Sequence, residues 1–508
     1  MRAKRLMVQG TASSVGKSTL VTALCRILRQ EGLSVAPFKA QNMSLNSFVT
    51  PDGGEIGRAQ AVQAEAAGVE PSVAMNPVLL KPEADNRCQL IVKGKPLRHV
   101  AAADYPSVHK ILWGAITDSL DRLLARYDAV VIEGAGSPAE VNLKDRDLVN
   151  MRVALYSKAP VLLVADIDRG GIFASLVGTL ELLDPAERAA IKAFVINKFR
   201  GDLSLLQPGL EWLEQRTNIP VAGVVPYYHD IYIAEEDSVS LEKRRAMKNR
   251  KDYDLDIAVI ALPHISNFDD FDPFEHEPKI RLRYVEAYDE LGEPDLILLP
   301  GTKSTIADLR FLKGKGRDKE IVQRARRGTP IIGVCGGYQM LGESIRDPNQ
   351  VESSEAEISG LALLPISTRF LPIKSTHQVK ARTLPGRGLL QKAGGMSISG
   401  YEIHMGETAG TAISTPFQIV ERSQNPCDEI DGCLSPDGNV LGTYIHGLFH
   451  NEGFRRAILR ELAARKGVVF APSHSVLSPA DQYDRLASLV RSSLDMDLIF
   501  RIVGLRGA

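Results

Sequence analysis

Residues Gly10 to Thr19 read GTASSVGKST, directly after the apolar run LMVQG and directly before a helical stretch with apolar residues at Leu20, Leu24 and Ile27. No other feature restricts the fold as much. Small residues between a strand and a helix let successive backbone N–H groups wrap an anion, and the helix N-terminus adds positive potential. Gly10, Gly16, Lys17, Ser18 and Thr19 are the candidate nucleotide-binding residues, with Lys17 reaching the outer phosphates and Ser18 ligating Mg²⁺. The competing reading is a Gly/Ser-rich turn that only caps a helix; the GKST sequence in a strand-helix context argues against it.

The runs SVAPFKA, AVVIEGAG, APVLLVADID, AFVINKF and PVAGVVP follow, apolar throughout and bounded by Gly, Pro or Asp. Such runs predict buried parallel strands of a helix-covered sheet. A phosphate loop also needs an acidic group near the metal, and Glu133, closing AVVIE, stands at a strand end where ligands gather. Asp145 and Asp147, in the polar loop beyond it, have two open readings: metal or substrate contact, or helix-capping acids in a solvated loop. Asn197 ends another strand, where it either reads a base or satisfies local backbone groups. The sequence NKFR there lacks the aspartate of a guanine-reading NKxD, so ATP is the expected nucleotide.

At 508 residues the chain exceeds a single core, and the pattern breaks at EEDSVSLEKRRAMKNRKDYD, residues 235 to 254. We read residues 1–235 as an ATP-binding domain, 236–254 as a connector, 255–460 as a second α/β domain built on LDIAVIAL, DLILLPG, PIIGVCGG and NVLGTYIHGLF, and 461–508 as a helical tail. In the second domain Cys335 closes an apolar strand, hemmed by Gly333, Gly336 and Gly337 and followed by a helical run. This is the arrangement of a nucleophile elbow. His446, at a later strand end, is the candidate base, and the Gly301 region offers backbone donors for an oxyanion. Glu402 and His404 in GYEIHMG stay outside the catalytic set, since an ordinary polar strand face explains them as well.

A net charge of -1 gives no electrostatic reason to expect nucleic acid or an anionic membrane. Five cysteines without a CxxC pair argue against a disulfide framework and a structural zinc, which suits the reducing cytoplasm. No apolar run is long enough for a signal peptide or a membrane span.

The five residues separating Gly10 from Gly16, one more than usual, are similar to the spacing in carboxylate-modifying synthetases related to dethiobiotin synthetase. Cys335, its glycines and His446 resemble a class I-type glutamine amidotransferase domain, of the divergent subgroup attached to cobalamin-pathway amide synthases. Where standard members carry a glutamate two residues after the histidine, this chain has Leu448. The ordered motifs QNMSLNSFVT, EIGRAQAVQAEAAG, NPVLLKP, VIEGAGSPAEVNL, DIDRGG, VINKFRGD, PGTKSTIADL, GVCGGYQMLG, GYEIHMG and YIHGLF resemble the cobyric acid synthase family from about Leu6 to His446. The resemblance implies a dethiobiotin-synthetase-like P-loop domain and a class I glutamine amidotransferase-like α/β domain. It also implies ATP- and Mg²⁺-dependent amidation, with glutamine as nitrogen donor, of the b, d, e and g carboxylates of adenosylcobyrinic acid a,c-diamide, a corrinoid polycarboxylate. The alternatives are a,c-diamide formation on cobyrinic acid and a P-loop nucleotide switch or metallochaperone.

Overall fold

Every apolar run of the first half forms a strand. They make one six-stranded, wholly parallel sheet in the order Val221–Pro226, Ile191–Phe199, Val161–Asp166, Lys4–Gly10, Ala129–Glu133, Val35–Lys39. The computed structural model describes residues 3–83, 87–101, 105–234, 252–411, 414–470 and 478–505. The expected connector therefore lies, as far as residue 251, outside the described residues.

The runs are apolar without alternation because both faces of the sheet are covered. Leu6 and Val8 join one apolar cluster with the helix Lys17–Gln30, while Met7 joins the other with the helix Tyr105–Arg126. Parallel pairing sets Glu133 beside Val8 on one side and Lys39 on the other, so the phosphate loop, the carboxylate and the lysine gather at one edge of the sheet.

Beyond Lys39 the chain makes two small excursions that lack the length for a periodic signal. Gln41–Met43, Val78–Pro82, Arg87–Val92 and Lys95–Ala101 form a four-stranded sheet, and Ser47–Val49 pairs with Glu55–Gly57 as a hairpin. The hairpin abuts the second half: Gln378 donates from Nε2 to the Val49 carbonyl at 2.9 Å, and Val49 packs with Tyr401 and Ile403.

The second half contains another six-stranded sheet, ordered Ile280–Val285, Leu255–Ile260, Leu296–Leu299, Ile331–Val334, Val440–Thr443, Cys433–Leu434. It is parallel except for its last strand. The long antiparallel strands Ile366–Thr383 and Ser397–Gly410 belong to a further sheet of the second half. The helix Glu452–Lys466 packs into this second core.

The last two helices, Pro479–Ser493 and Met496–Val503, return to the first half. Leu486, Val490, Ile499 and Phe500 share a cluster with Leu24 and Val8, Arg26 grips both oxygens of Asp484 at 2.7 Å, and the Asp495 N–H donates to the Ala222 carbonyl.

Between the halves Glu55 is buried against two lysines. Lys81, of the first half, donates to one carboxylate oxygen at 2.7 Å, and Lys374, of the second, donates to the other at 2.5 Å. Burial alone would raise the carboxyl, but Lys374 and Lys81 outweigh it and hold it well below the usual range. Burial also lowers the Lys374 ammonium, to about 8, against the pull of Glu55. Removing the shared anion strands two buried cations. Glu55→Gln is therefore expected to destabilise the full chain by about 3–5 kcal/mol in urea unfolding, against less than about 1 kcal/mol for loss of an exposed pair such as Arg346–Glu357.

Candidate functional site

Gly16 enters the helix Lys17–Gln30 at φ 99°, and a Cβ there would stand 2.1 Å from the Asn197 side-chain nitrogen. Glycine is required on both counts. Asn197 uses that space to donate from Nδ2 to the Val15 carbonyl at 2.8 Å, bracing the loop from the neighbouring strand. A Cβ at Gly10 would meet Val15 at 2.5 Å, so the loop also closes tightly at its start. Lys17 folds back along the loop, donating to the carbonyls of Ala12 at 2.9 Å and Gly136 at 3.0 Å.

Ser18 donates its hydroxyl proton to Glu133 at 2.8 Å. The same carboxylate receives Lys39 at 3.0 Å and Gln63, from the helix Arg58–Ala67, at 2.5 Å. Burial pushes Glu133 towards the neutral acid, but the Lys39 charge and the three hydrogen bonds outweigh it, so the carboxyl is held below its ordinary value. Among the described residues no group of three or more His, Cys, Asp or Glu is arranged to hold a metal. One carboxylate and one hydroxyl fit a magnesium ion that takes its remaining ligands from phosphate and water.

A cavity of about 490 Å³ runs from Gly16, Lys17, Ser18 and Thr19 past Glu133 and Asn197 to walls formed by Pro226, Tyr227 and Tyr228. Leu486 and Val490 of the returning helix also line it. A phosphate cradle at one end and aromatic and aliphatic walls at the other suit a purine nucleotide. Asp145 and Asp147 are not among the lining residues. Asp147 caps the next helical turn, accepting from the N–H groups of Val149, Asn150 and Arg152, and Asp145 lies exposed.

In the second half Cys335 occupies φ 52°, ψ −110°, between the strand Ile331–Val334 and the short helix Gly336–Leu341. A non-glycine residue held there stores strain, as a nucleophile elbow does. The glycine frame has a steric cause: a Cβ at Gly337 would lie 2.1 Å from the Leu299 carbonyl oxygen. His446 is fully buried and stacks on Tyr401, with ring centroids 5.2 Å apart. The Cys335 thiol acts on the same ring, and a Cβ at Gly301 would reach it at 3.0 Å.

Sequence reasoning left the imidazole without an orienting partner, because Leu448 replaces the expected acid. The partner is Asp270, 176 residues earlier, in the short 3-10 segment Phe268–Phe271. One Asp270 oxygen accepts from His446 Nδ1 and the other from the Gly447 N–H, both at 2.7 Å. Burial opposes the imidazolium, but Asp270 outweighs burial, and Cys335 adds a smaller pull, so the pKa is pushed up to about 10. Nothing around Asp270 in SNFDDFDPF carries a periodic or strand-end signal, although the run of acids there could have prompted a search. Glu402 pairs with Arg422 at 2.9 Å, and His404 donates from Nδ1 to the Gly406 carbonyl at 2.8 Å while stacking on Tyr444.

Residues 6–241 match the family model described as a CobQ/CobB/MinD/ParA nucleotide binding domain, and residues 256–454 match the CobB/CobQ-like glutamine amidotransferase domain. Among curated relatives, a cobyric acid synthase of Sorangium cellulosum is 55% identical over 519 residues, covering 99% of each chain. Cobyric acid synthases of Dehalococcoides mccartyi and Desulfitobacterium hafniense are 52% and 51% identical, over 99% of this chain and 99% and 98% of theirs. No helix among the described residues is long and apolar enough to cross a membrane.

The Asp270 charge carries a titration test. With Asp270→Asn the cation loses its main support and burial, which favours the neutral ring, is left to dominate. The His446 pKa, followed by NMR, is expected to fall from about 10 to below the ordinary 6.5; an unchanged titration would remove Asp270 from its assigned place.

Proposed function

The chain belongs to the cobyric acid synthase family, and from that premise we propose that it amidates the b, d, e and g carboxylates of adenosylcobyrinic acid a,c-diamide, with ATP as activator and glutamine as nitrogen source. The observation that carries this reading is one chain holding both a phosphate loop facing Glu133 and a strained Cys335 beside an aspartate-oriented histidine.

A carboxylate is a poor electrophile because its leaving group would be oxide. Attack by one of its oxygens on the γ-phosphorus of ATP releases ADP and leaves an acyl phosphate, which needs positioning and charge neutralisation more than covalent help. The loop N–H groups and Lys17 hold the transferring phosphate, while the apolar walls at Tyr227 and Tyr228 take the base and Asn197 keeps the loop in shape. Ser18 and Glu133 would hold a magnesium ion, which supplies charge neutralisation at the phosphates.

In the other half the Cys335 sulfur attacks the carboxamide carbon of glutamine. His446, cationic and held by Asp270, gives its Nε2 proton to the departing ammonia, and the backbone around Gly301 and the N-terminus of the helix after Cys335 stabilise the oxyanion. Water then cleaves the thioester to glutamate. Ammonia displaces phosphate from the acyl phosphate, forming the amide.

The sibling a,c-diamide synthesis is the weaker reading, because full-length relatives carry the later enzyme's name. A nucleotide switch or metallochaperone leaves the Asp270–His446–Cys335 array without a task.

Mass spectrometry of the corrinoid after incubation with protein, ATP, Mg²⁺ and glutamine is expected to show stepwise amidation; an unchanged mass defeats the substrate assignment. Cys335→Ala should abolish glutamate release yet amidate with ammonium chloride, and Cys427→Ala should retain both activities. Lys17→Ala should lower amidation with either donor by about 10²-fold or more. Glu133→Gln should raise the Mg²⁺ concentration needed for half-maximal rate.

A further inference from the structure

The aspartate that orients His446 has a neighbour held from the other half of the molecule. Asp269 is buried, and its carboxylate lies 3.2 Å from the guanidinium of Arg58. Arg58 is the first residue of the helix Arg58–Ala67 in the nucleotide-binding half. Two further bonds from that half grip the same segment. The Phe268 N–H donates to Asn46 Oδ1 at 3.2 Å, and the Ser47 N–H donates to Asn267 Oδ1 at 3.0 Å.

A second line of contact reaches the imidazole from its face. Arg58 sits over the Phe48 ring, 5.4 Å from the centroid; Phe48 packs on Tyr401 at 5.8 Å; and Tyr401 stacks on His446. Tyr401 and His446 are also joined by two backbone hydrogen bonds, of 3.1 and 2.8 Å. Arg58 thus braces His446 both through its acid and through its stacking partner.

The other end of this contact lies in the phosphate site. Gln63, five positions along the helix and about 7.5 Å along its axis, donates to Glu133. Ala59 and Val62 of the same helix line the nucleotide cavity, and Gln60 accepts from Asn42, which lines it too. The helix is buried through most of its length and built largely of alanine, so it packs closely. A ligand that draws Ser18 and Glu133 to itself would compete with the Gln63 hydrogen bond, in the helix that begins at Arg58.

We propose that Arg58 is a positioning residue of the glutaminase, supplied by the nucleotide-binding half, which anchors Asp269 and through the chain holds the adjacent Asp270 on His446, and makes the geometry at Cys335 follow the state of the phosphate site. The proposal rests on the reading of Cys335 as the glutaminase nucleophile. Asp269 is raised by burial and by neighbouring Asp270, with Arg58 and His450 opposing, so loss of Arg58 leaves a strained acidic pair beside the histidine.

The test is glutamate release by the full chain, with kcat and KM for glutamine measured without nucleotide and with ATP and Mg²⁺. Arg58→Gln is expected to lower kcat about tenfold with KM within about twofold, because misplacing a catalytic group costs turnover more than binding. ATP and Mg²⁺ are expected to raise kcat in the unmodified chain, and Arg58→Gln should abolish that rise. Arg58→Lys, which keeps the charge, should recover part of both. The double variant Arg58→Gln/Asp269→Asn, which removes the stranded carboxylate, should be less impaired than Arg58→Gln alone.

Amidation with ammonium chloride in the same proteins reports the fold of the nucleotide half. An equal loss of ammonia-dependent and glutamine-dependent turnover in Arg58→Gln would overturn the proposal, as would unchanged kcat or a glutaminase in the unmodified chain that ignores nucleotide. Cys335→Ala separates the two levels. If it still releases glutamate, the nucleophile reading fails; if it is inactive while Arg58→Gln behaves as the unmodified chain, only the coupling fails.

Discussion

Asp269 and Asp270 lie side by side in the seam between the two halves, and their charge has to be balanced from both directions. Taking an ion out of water costs several kcal/mol unless a partner stands within bonding distance. His446 and Gly447 answer Asp270 from the second half, and Arg58 answers Asp269 from the first. The thiol site therefore cannot hold its geometry as a property of one half alone. The same rule operates nearby, where Glu55 is shared by Lys81 and Lys374, and where Lys303 pairs with Glu83 at 2.7 Å. Asp269, Lys374 and Lys303 each have a neutralising group in the opposite half, so separating the halves would expose several ions at once.

The parts of this arrangement that are local in sequence were legible. Gly10 to Thr19 announced a phosphate loop because the strand, the turn and the helix that build it are contiguous, and the steric reason for Gly16 sits within that loop and one neighbouring strand. Cys335 was legible for the same reason: its glycines make room for a turn that the preceding apolar run already predicts. The six apolar runs of the first half became six adjacent strands because burial on both faces leaves a composition that needs no long-range knowledge.

What was hidden depends on contacts across long separations. Leu448 removed the one nearby acid that could have oriented His446, and its replacement comes from a short 3-10 segment whose sequence carries no periodicity. Asp147 had two open readings, contact with metal or substrate and helix capping, and its side chain caps a helical turn. The hairpin Ser47–Val49/Glu55–Gly57 has strands too short for any alternation to register, yet it brings the first half to within bonding distance of Gln378 and into contact with Tyr401, which stacks on His446. The two final helices were readable as helices, but nothing in their residues tells which core their apolar faces will enter.

That last feature bears on how the molecule is made. Pro479–Ser493 and Met496–Val503 leave the ribosome after the whole second half, and they cover Leu24, Val8 and other groups of the first core. Domains usually fold in the order of their synthesis, but here the nucleotide-binding half must wait, its flank uncovered, while the intervening half is translated. The second half is in effect an insert within the first. A gene cut between the two sheets would yield an N-terminal product lacking part of its own core, so these two activities resist being divided into independent subunits at the place where their chemistry divides.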